Sequence, residues 1–255
     1  MSGLVLFKKE LREVLRTSRI YVIPGLFLFF GFLSPITAKM MPEILKSVAN
    51  SSGVQITLPP PVAADAFVQL FKNLGQMGVL AVILTIMGAL AEEKSRGTAI
   101  LVVTKPVPRT AMVWAKLASN ALLITFATAL AYVGSLYYTI ILFPDVPVKE
   151  SLFGTIALLA YLLFVAAITI AASAVARSQI AGGGLAILGY FFISTLPVFG
   201  RFWAKWTPGG LVSMQTSLLA GKLTFREAGG PIAVALIVGL VLVVLGSMFF
   251  EKQEL

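Results

Sequence analysis

The sequence predicts an all-α, polytopic membrane protein with six transmembrane helices, and three observations lead there. Its 255 residues are 58% hydrophobic and only 12% charged, about half the charge that covers an ordinary soluble domain. With a mean hydropathy of +0.94, its apolar residues gather in uninterrupted runs. These are near the roughly 20 residues that a helix rising about 1.5 Å per residue needs to cross a hydrocarbon core about 30 Å thick. No run shows the period-two alternation of a membrane β-barrel.

The first element is a basic amphipathic helix over residues 1–19. Leu4, Phe7, Leu11, Val14 and Leu15 recur at helical spacing, while Lys8, Lys9, Arg12 and Arg16 fall elsewhere on the wheel. Such a helix lies in the inner interface, its apolar face among acyl chains and its cations among headgroups. Phe7, Lys8, Lys9, Leu11 and Arg12 are its expected interfacial residues. A leader that serves topology alone is the alternative, and the helical period favours the interfacial helix. The first apolar run, 20–38, exceeds the roughly 7–15 residues of a signal-peptide core, so it is read as an uncleaved span.

Five further runs follow at 74–91, 117–143, 152–176, 180–199 and 232–250. Between the first two lies an outer loop, 39–73, in which turn residues and Pro59-Pro60-Pro61 bar a continuous helix. Its last part, 63–73, regains a helical pattern and carries Asp65 and Lys72 above the second span. The third helix, counted from Thr110, is long for a bilayer and must tilt or protrude, with Arg109 and Lys116 at its cytoplasmic base. Gly182, Gly183, Gly184, Ala186 and Gly189 in the fifth run, and Ala235, Gly239 and Gly246 in the sixth, let backbones approach closely, within the chain or between subunits. Segment 200–230 reads as two short re-entrant helices dipping into the outer leaflet before the sixth span. Phe202, Trp203 and Trp206 suit the interface, and Pro208-Gly209-Gly210 divides the segment. Residues 1–255 show no repeat and no second domain.

An even number of spans puts both termini on one side. The larger share of Lys and Arg falls there, led by Lys8, Lys9, Arg12, Arg16 and Arg19 ahead of the first span. A multi-pass protein of the cell membrane with both termini in the cytoplasm is therefore expected. The formal charge of +9 suits insertion and anionic membrane lipid; no groove-binding module points to nucleic acid.

Several chemistries are excluded. With no Cys and no His, disulfides, thiolate metal sites, the usual zinc sites, His-based triads and imidazole relays are absent. Neither a catalytic residue nor a metal site is expected. No GxxxxGK[ST] phosphate loop occurs; the nearest fragment, at 220–224, lacks the upstream Gly and the hydroxyl residue after Lys222. The six runs hold no Asp, Glu, Lys or Arg, whereas an ion-coupled carrier keeps an ionisable group at membrane depth. Their Ser and Thr hydroxyls have their own helix backbone to bond. A membrane protein with neither fuel nor reaction centre takes its energy from a partner.

One segment stands apart. In AEEKSRGTAILVVTKPVPRTAMVWAK, residues 91–116, charges of both signs gather between the second and third runs. Glu92, Glu93, Lys94 and Arg96 crowd the end of the second span. Gly97 permits a sharp turn, Thr98 can cap the short segment after it, and Pro106 and Pro108 end that segment. The middle is apolar although it lies outside the bilayer, so it needs cover from the membrane, the helix ends or another protein. A solvated, positive-inside loop is the plainer reading.

This stretch resembles the signature between the second and third spans of type-2 ATP-binding cassette (ABC) transporter permeases. In that family an acidic residue is followed by a basic one, Gly-Thr, a short apolar segment, Pro, a basic residue, and Lys near the start of the third helix. Here these are Glu92 or Glu93, Lys94 or Arg96, Gly97-Thr98, 100–103, Pro106, Arg109 and Lys116. The rest of the chain matches by layout. The resemblance implies the transmembrane subunit of an ABC exporter, not an enzyme by itself. Such a permease pairs with an identical or related permease and with two ABC ATPase subunits. The ATPases bind ATP and Mg, and no cofactor is implied for this chain. Residues 92–110 would form a cytoplasmic coupling segment that docks, with the N-terminal helix, into a cleft of the ATPase. Both Glu92 and Glu93 fit the acidic position. The competing class is a membrane anchor or immunity protein that moves nothing.

Overall fold

The computed structural model describes residues 3–51, 59–95 and 108–253, and every regular element among them is helical. Helix α1 (Gly3–Arg16) turns directly into α2 (Arg19–Ser51). The next path across the bundle is segmented. It runs through α3 (Ala63–Asn73), a π-helical turn (Leu74–Gly78), α4 (Val79–Ile86) and α5 (Ala91–Ser95). Three long helices follow: α6 (Arg109–Leu142), α7 (Val148–Val175) and α8 (Gln179–Thr195). Two short ones, α9 (Arg201–Trp206) and α10 (Leu211–Leu219), are joined through the tight turn Pro208–Gly210 and precede α11 (Phe225–Lys252). Among the described residues six paths are long and apolar enough to cross a membrane: Arg19–Ser47, Ala63–Ser95, Arg109–Leu142, Val148–Val175, Gln179–Phe199 and Phe225–Lys252.

Local chemistry sets several of the ends. The Asp65 carboxylate accepts the Val62 N–H at 2.9 Å and opens α3. Ser178 caps α8, its hydroxyl accepting from Ala181 N at 3.2 Å. Thr224 and Glu227 form a reciprocal box at the start of α11, which satisfies donors that a helix start otherwise leaves unpaired. Between α6 and α7 the chain reverses through Pro144, Asp145 and Pro147, with Asp145 in the left-handed region at φ 52°.

Helix α7 is the central element. Its apolar window is 72% buried against 17% for the span that contains α8. Tyr161, Phe164, Val165 and Ile170 lie in one core with Phe27, Phe67 and Ile83 from the first two spans. Around it, α11 lies along one side, α8 and α10 along others, and α2 pairs along α6. Lipid tails are as apolar as Leu, so such a bundle is held by close packing and internal hydrogen bonds. Gly31 shows how close: a Cβ there would stand 2.6 Å from the carbonyl oxygen of Ala131 on α6. Gly31→Val should therefore separate α2 from α6 and destabilise the fold by about 1–3 kcal/mol, read as a lower unfolding temperature in detergent. Of the small residues singled out by the sequence, Gly239 and Gly246 pack on Ala167 and Ala171 of α7, and Gly182 on Met87. These serve packing within the chain.

Two elements depart from expectation. The outer loop was expected from residue 39, yet α2 continues to Ser51 with Pro24, Pro35 and Pro42 inside it. Residues 43–49 are mostly helix formers, so one missing hydrogen bond at Pro42 does not stop them. The second span contains a π-helical turn that no apolar run announces.

Candidate functional site

Lys116 lies two turns into α6 and is almost wholly buried, its side chain 3% exposed. Its Nζ donates to Glu10 Oε2 at 2.9 Å and to Glu93 Oε1 at 2.9 Å. Glu93 comes from α5, at the end of the second span. Glu10 comes from α1, where Leu6, Glu10 and Val14 at four-residue spacing form the buried stripe, one face of a helix, and α1 packs on α6. Lys9 completes the group, donating to Glu10 Oε1 at 3.0 Å and lying 3.9 Å from Glu13 and 3.8 Å from Glu93. Three elements distant in sequence thus meet on one ammonium.

Such a cluster is costly to desolvate and is maintained by its mutual pairing. Burial alone would raise the Glu10 carboxyl, but the Lys116 and Lys9 ammoniums, both hydrogen-bonded to it, hold it below its ordinary value of 4.5. Glu10, Glu13 and Glu93 offer ligand atoms within 4.8 Å of one another, a spacing a metal ion could use. Lys116 and Lys9 already supply the positive charge there.

A second set of contacts ties the same region to the far end of the chain. Lys94 Nζ donates to the Ala174 carbonyl at 2.8 Å and to Gln253 Oε1 at 3.1 Å, 5.6 Å from the Phe250 ring centroid. Arg109 Nη1 donates to the Gln253 carbonyl at 2.7 Å and the Glu251 carbonyl at 3.2 Å. Gln253 Nε2 in turn donates to the Val175 carbonyl at 3.1 Å. Cations at helix C-termini answer the free carbonyls and the negative pole of the dipole. Lys94, before the 96–107 connector, therefore grips the ends of both α7 and α11, and Arg109, after it, the end of α11. The Ser173 hydroxyl also accepts from Leu90 N and Ala91 N at 3.0 and 3.1 Å. Glu92 lies over Gly88 beside Gln179 of α8, where an added Cβ would meet them at 3.2 and 3.1 Å.

Compared with known protein families, residues 4–255 match the model of the ABC-2 family transporter proteins. The chain belongs to that family. An uncharacterized transmembrane protein of Bacillus subtilis (strain 168), YxlG, is 25% identical over 223 residues, which cover 85% of this chain and 84% of that protein. An ABC-2 chain is a membrane transport component, the non-catalytic, permease part of an ABC transporter, and the family implies partnership with an ABC ATPase.

Within this ABC-2 chain, Glu92, Glu93, Lys94, Arg109 and Lys116 of the expected site are brought to one end of the bundle. Arg96, Gly97, Thr98 and Pro106 lie outside the described residues. On α1, Lys8 and Arg12 are exposed, Phe7 and Leu11 half-buried, and Leu4 and Leu15 exposed. Lys116, expected at the interface, is instead a buried hub. Glu10 and Gln253 were missed. A Glu at position 10, in line with Leu6 and Val14 at four-residue spacing, and a Lys seven residues into an apolar helix, were the available signals.

The Glu10 geometry sets a pH dependence for the ABC-2 chain. A carboxyl whose folded pKa is depressed binds fewer protons than in the unfolded chain, so its contribution is complete above the unfolded value. It is lost as pH falls from there through the folded value. Unfolding temperature should drop on acidification below about pH 4.5, and Glu10→Gln should flatten that limb; parallel limbs would rule Glu10 out as the source.

Proposed function

We propose that this ABC-2 chain is the permease of an ABC exporter, working as a pair with an identical or related permease and driven by two ATPase subunits that bind ATP and Mg. Both termini lie in the cytoplasm, α1 lies in the inner interface, and segment 200–230 is re-entrant from the outer side. Residues 92–110 and α1 dock the ATPase. The observation that carries this reading is the shared ammonium of Lys116, which holds Glu93 beside the connector and Glu10 on α1 at 2.9 Å each. Any force applied to the connector or to α1 reaches α6 through that group, and reaches α7 and α11 through Lys94 and Arg109. Glu93 is committed to Lys116, so its reversal would attack the fold. Glu92 lies on the other side, toward α8, and is the better probe of docking.

The test is purification of the tagged chain from its native membranes. An ABC ATPase and ATP hydrolysis should accompany it, and Glu92→Lys should reduce both at least tenfold per folded permease recovered, roughly 1.4 kcal/mol of binding or more. A chain that comes out alone and stable would favour the anchor or immunity reading. Full hydrolysis in Glu92→Lys would remove that residue from the interface.

A further inference from the structure

Beside the middle of α7, at Tyr161, lies a half-open cavity of about 540 Å³ walled also by α3, the π-helical turn, α8 and the α9–α10 segment. Its volume falls within the roughly 300–1,000 Å³ typical of sites for small molecules. Phe71, Val68, Tyr161 and Val212 give it apolar walls, and Val68 and Val212 are themselves exposed at its rim. A ligand with an apolar part can enter from the bilayer.

The polar lining is uneven in sign. Among the described residues no carboxylate lines the cavity. The hydroxyls of Ser213 and Thr216 donate to their own helix, and that of Tyr161 pairs with Ser194 at 3.4 Å. Gln215 is 1% exposed, and its side-chain Nε2 is buried without a hydrogen-bond partner. An orphaned donor in such surroundings costs free energy unless an acceptor is supplied. Lys72, at the rim, makes no ion pair among the described residues. The cavity thus has in its wall one buried donor without an acceptor and at its rim a cation without an ion-pair partner.

The second span is deformed at this place. Leu74–Gly78 is π-helical and brings Gly75 and Gln76 to the cavity; such turns recur at functional sites. A Cβ on Gly75 would meet nothing within 4 Å. Space is therefore kept open where an ordinary side chain would fit.

We propose that this cavity is a binding site for an amphiphile with an anionic head of the phosphate-ester class. The head oxygens take the Gln215 amide and the Lys72 ammonium, and the apolar part lies along Phe71, Tyr161 and Val212. That the bound amphiphile is also what the protein moves rests on the permease reading above.

The test uses the full chain in detergent, with native mass spectrometry counting retained phosphatidylglycerol against diacylglycerol of the same acyl chains. Phosphatidylglycerol should be retained at least tenfold better. Gln215→Leu, Lys72→Gln and Gly75→Leu should each reduce its retention about tenfold. Gln215→Leu removes an unpaired donor and so should unfold at the same or a higher temperature, which separates its loss of ligand from misfolding; at Gly75 a Cβ meets nothing within 4 Å, and the unfolding temperature of Gly75→Leu is measured beside its retention. Equal retention of both lipids, or full retention in Gln215→Leu, would overturn the site. Millimolar inorganic phosphate should leave the lipid in place, and displacement by it would assign a free-phosphate site instead. Selective retention with no ATPase co-purifying would defeat the permease reading and keep the site; an ATPase that co-purifies with a chain retaining both lipids equally would do the reverse.

Discussion

Lys116→Met should destabilise the protein by about 3–5 kcal/mol, the size expected when one partner leaves a buried ion pair. The substitution leaves Glu10 and Glu93, 5% and 19% exposed, facing each other without the ammonium that each bonds at 2.9 Å. Lys9 lies 3.0 Å from Glu10 but is itself 47% exposed, and a solvated cation of that kind contributes little. One carboxyl must then take a proton or α1 must leave α6. The unfolding temperature in detergent should fall on the order of 10 °C. Adding Glu10→Gln to Lys116→Met removes one of the two orphaned charges and should recover part of the loss. An unchanged temperature in the single variant would mean that water reaches the cluster and screens it.

Arg109→Met combined with Gln253→Leu should lower permease-stimulated ATP hydrolysis at least tenfold while the ATPase still co-purifies. These two changes remove the bonds to the Gln253 carbonyl and to Lys94 that fasten the connector to the end of α11, leaving Glu93 and Lys116 intact. Arg109 also releases the Glu251 carbonyl and Gln253 the Val175 carbonyl, while the Lys94 bond to the Ala174 carbonyl remains, so α5 stays fastened to α7 and the side-chain fastenings at the end of α11 are lost. The proposal requires those fastenings for turnover. Hydrolysis at the unaltered rate would reduce the Gln253 contacts to helix-end satisfaction. Loss of the ATPase itself would place them in docking rather than in transmission.

The spans were legible because a bilayer demands long apolar runs and the chain supplies them without interruption. The continuation of α2 to Ser51 was not, since Pro42 reads as a stop unless the helix formers after it are weighed against one lost hydrogen bond. In the candidate site, Glu92, Glu93 and Lys94 were singled out by their crowding at the end of the second run, and Arg109 and Lys116 by the resemblance to the permease signature. Glu10 was not, because a Glu in a basic amphipathic helix reads as one more solvated charge; its partner Lys116 is 106 positions away. Gln253 meets Arg109 across 144 positions, a pairing that only the folded arrangement of helix ends creates. The π-helical turn is likewise a product of packing, since nothing in LGQMG distinguishes i→i+5 bonding from an ordinary turn of helix.

Because Lys94 holds the Ala174 carbonyl and Tyr161 walls the cavity, α7 joins the two sites across 13 positions, about 20 Å of unbroken helix. A helix gripped on nearly every side does not bend; it slides or tilts as a whole. Under the coupling proposed above, α7 is then a strut, and its stiffness sets how much of a push at the Lys94 end arrives at the cavity. The places to tune that transmission are therefore the turns around 165–169, between the two sets of binding residues, where a helix-softening Gly would act as a shock absorber.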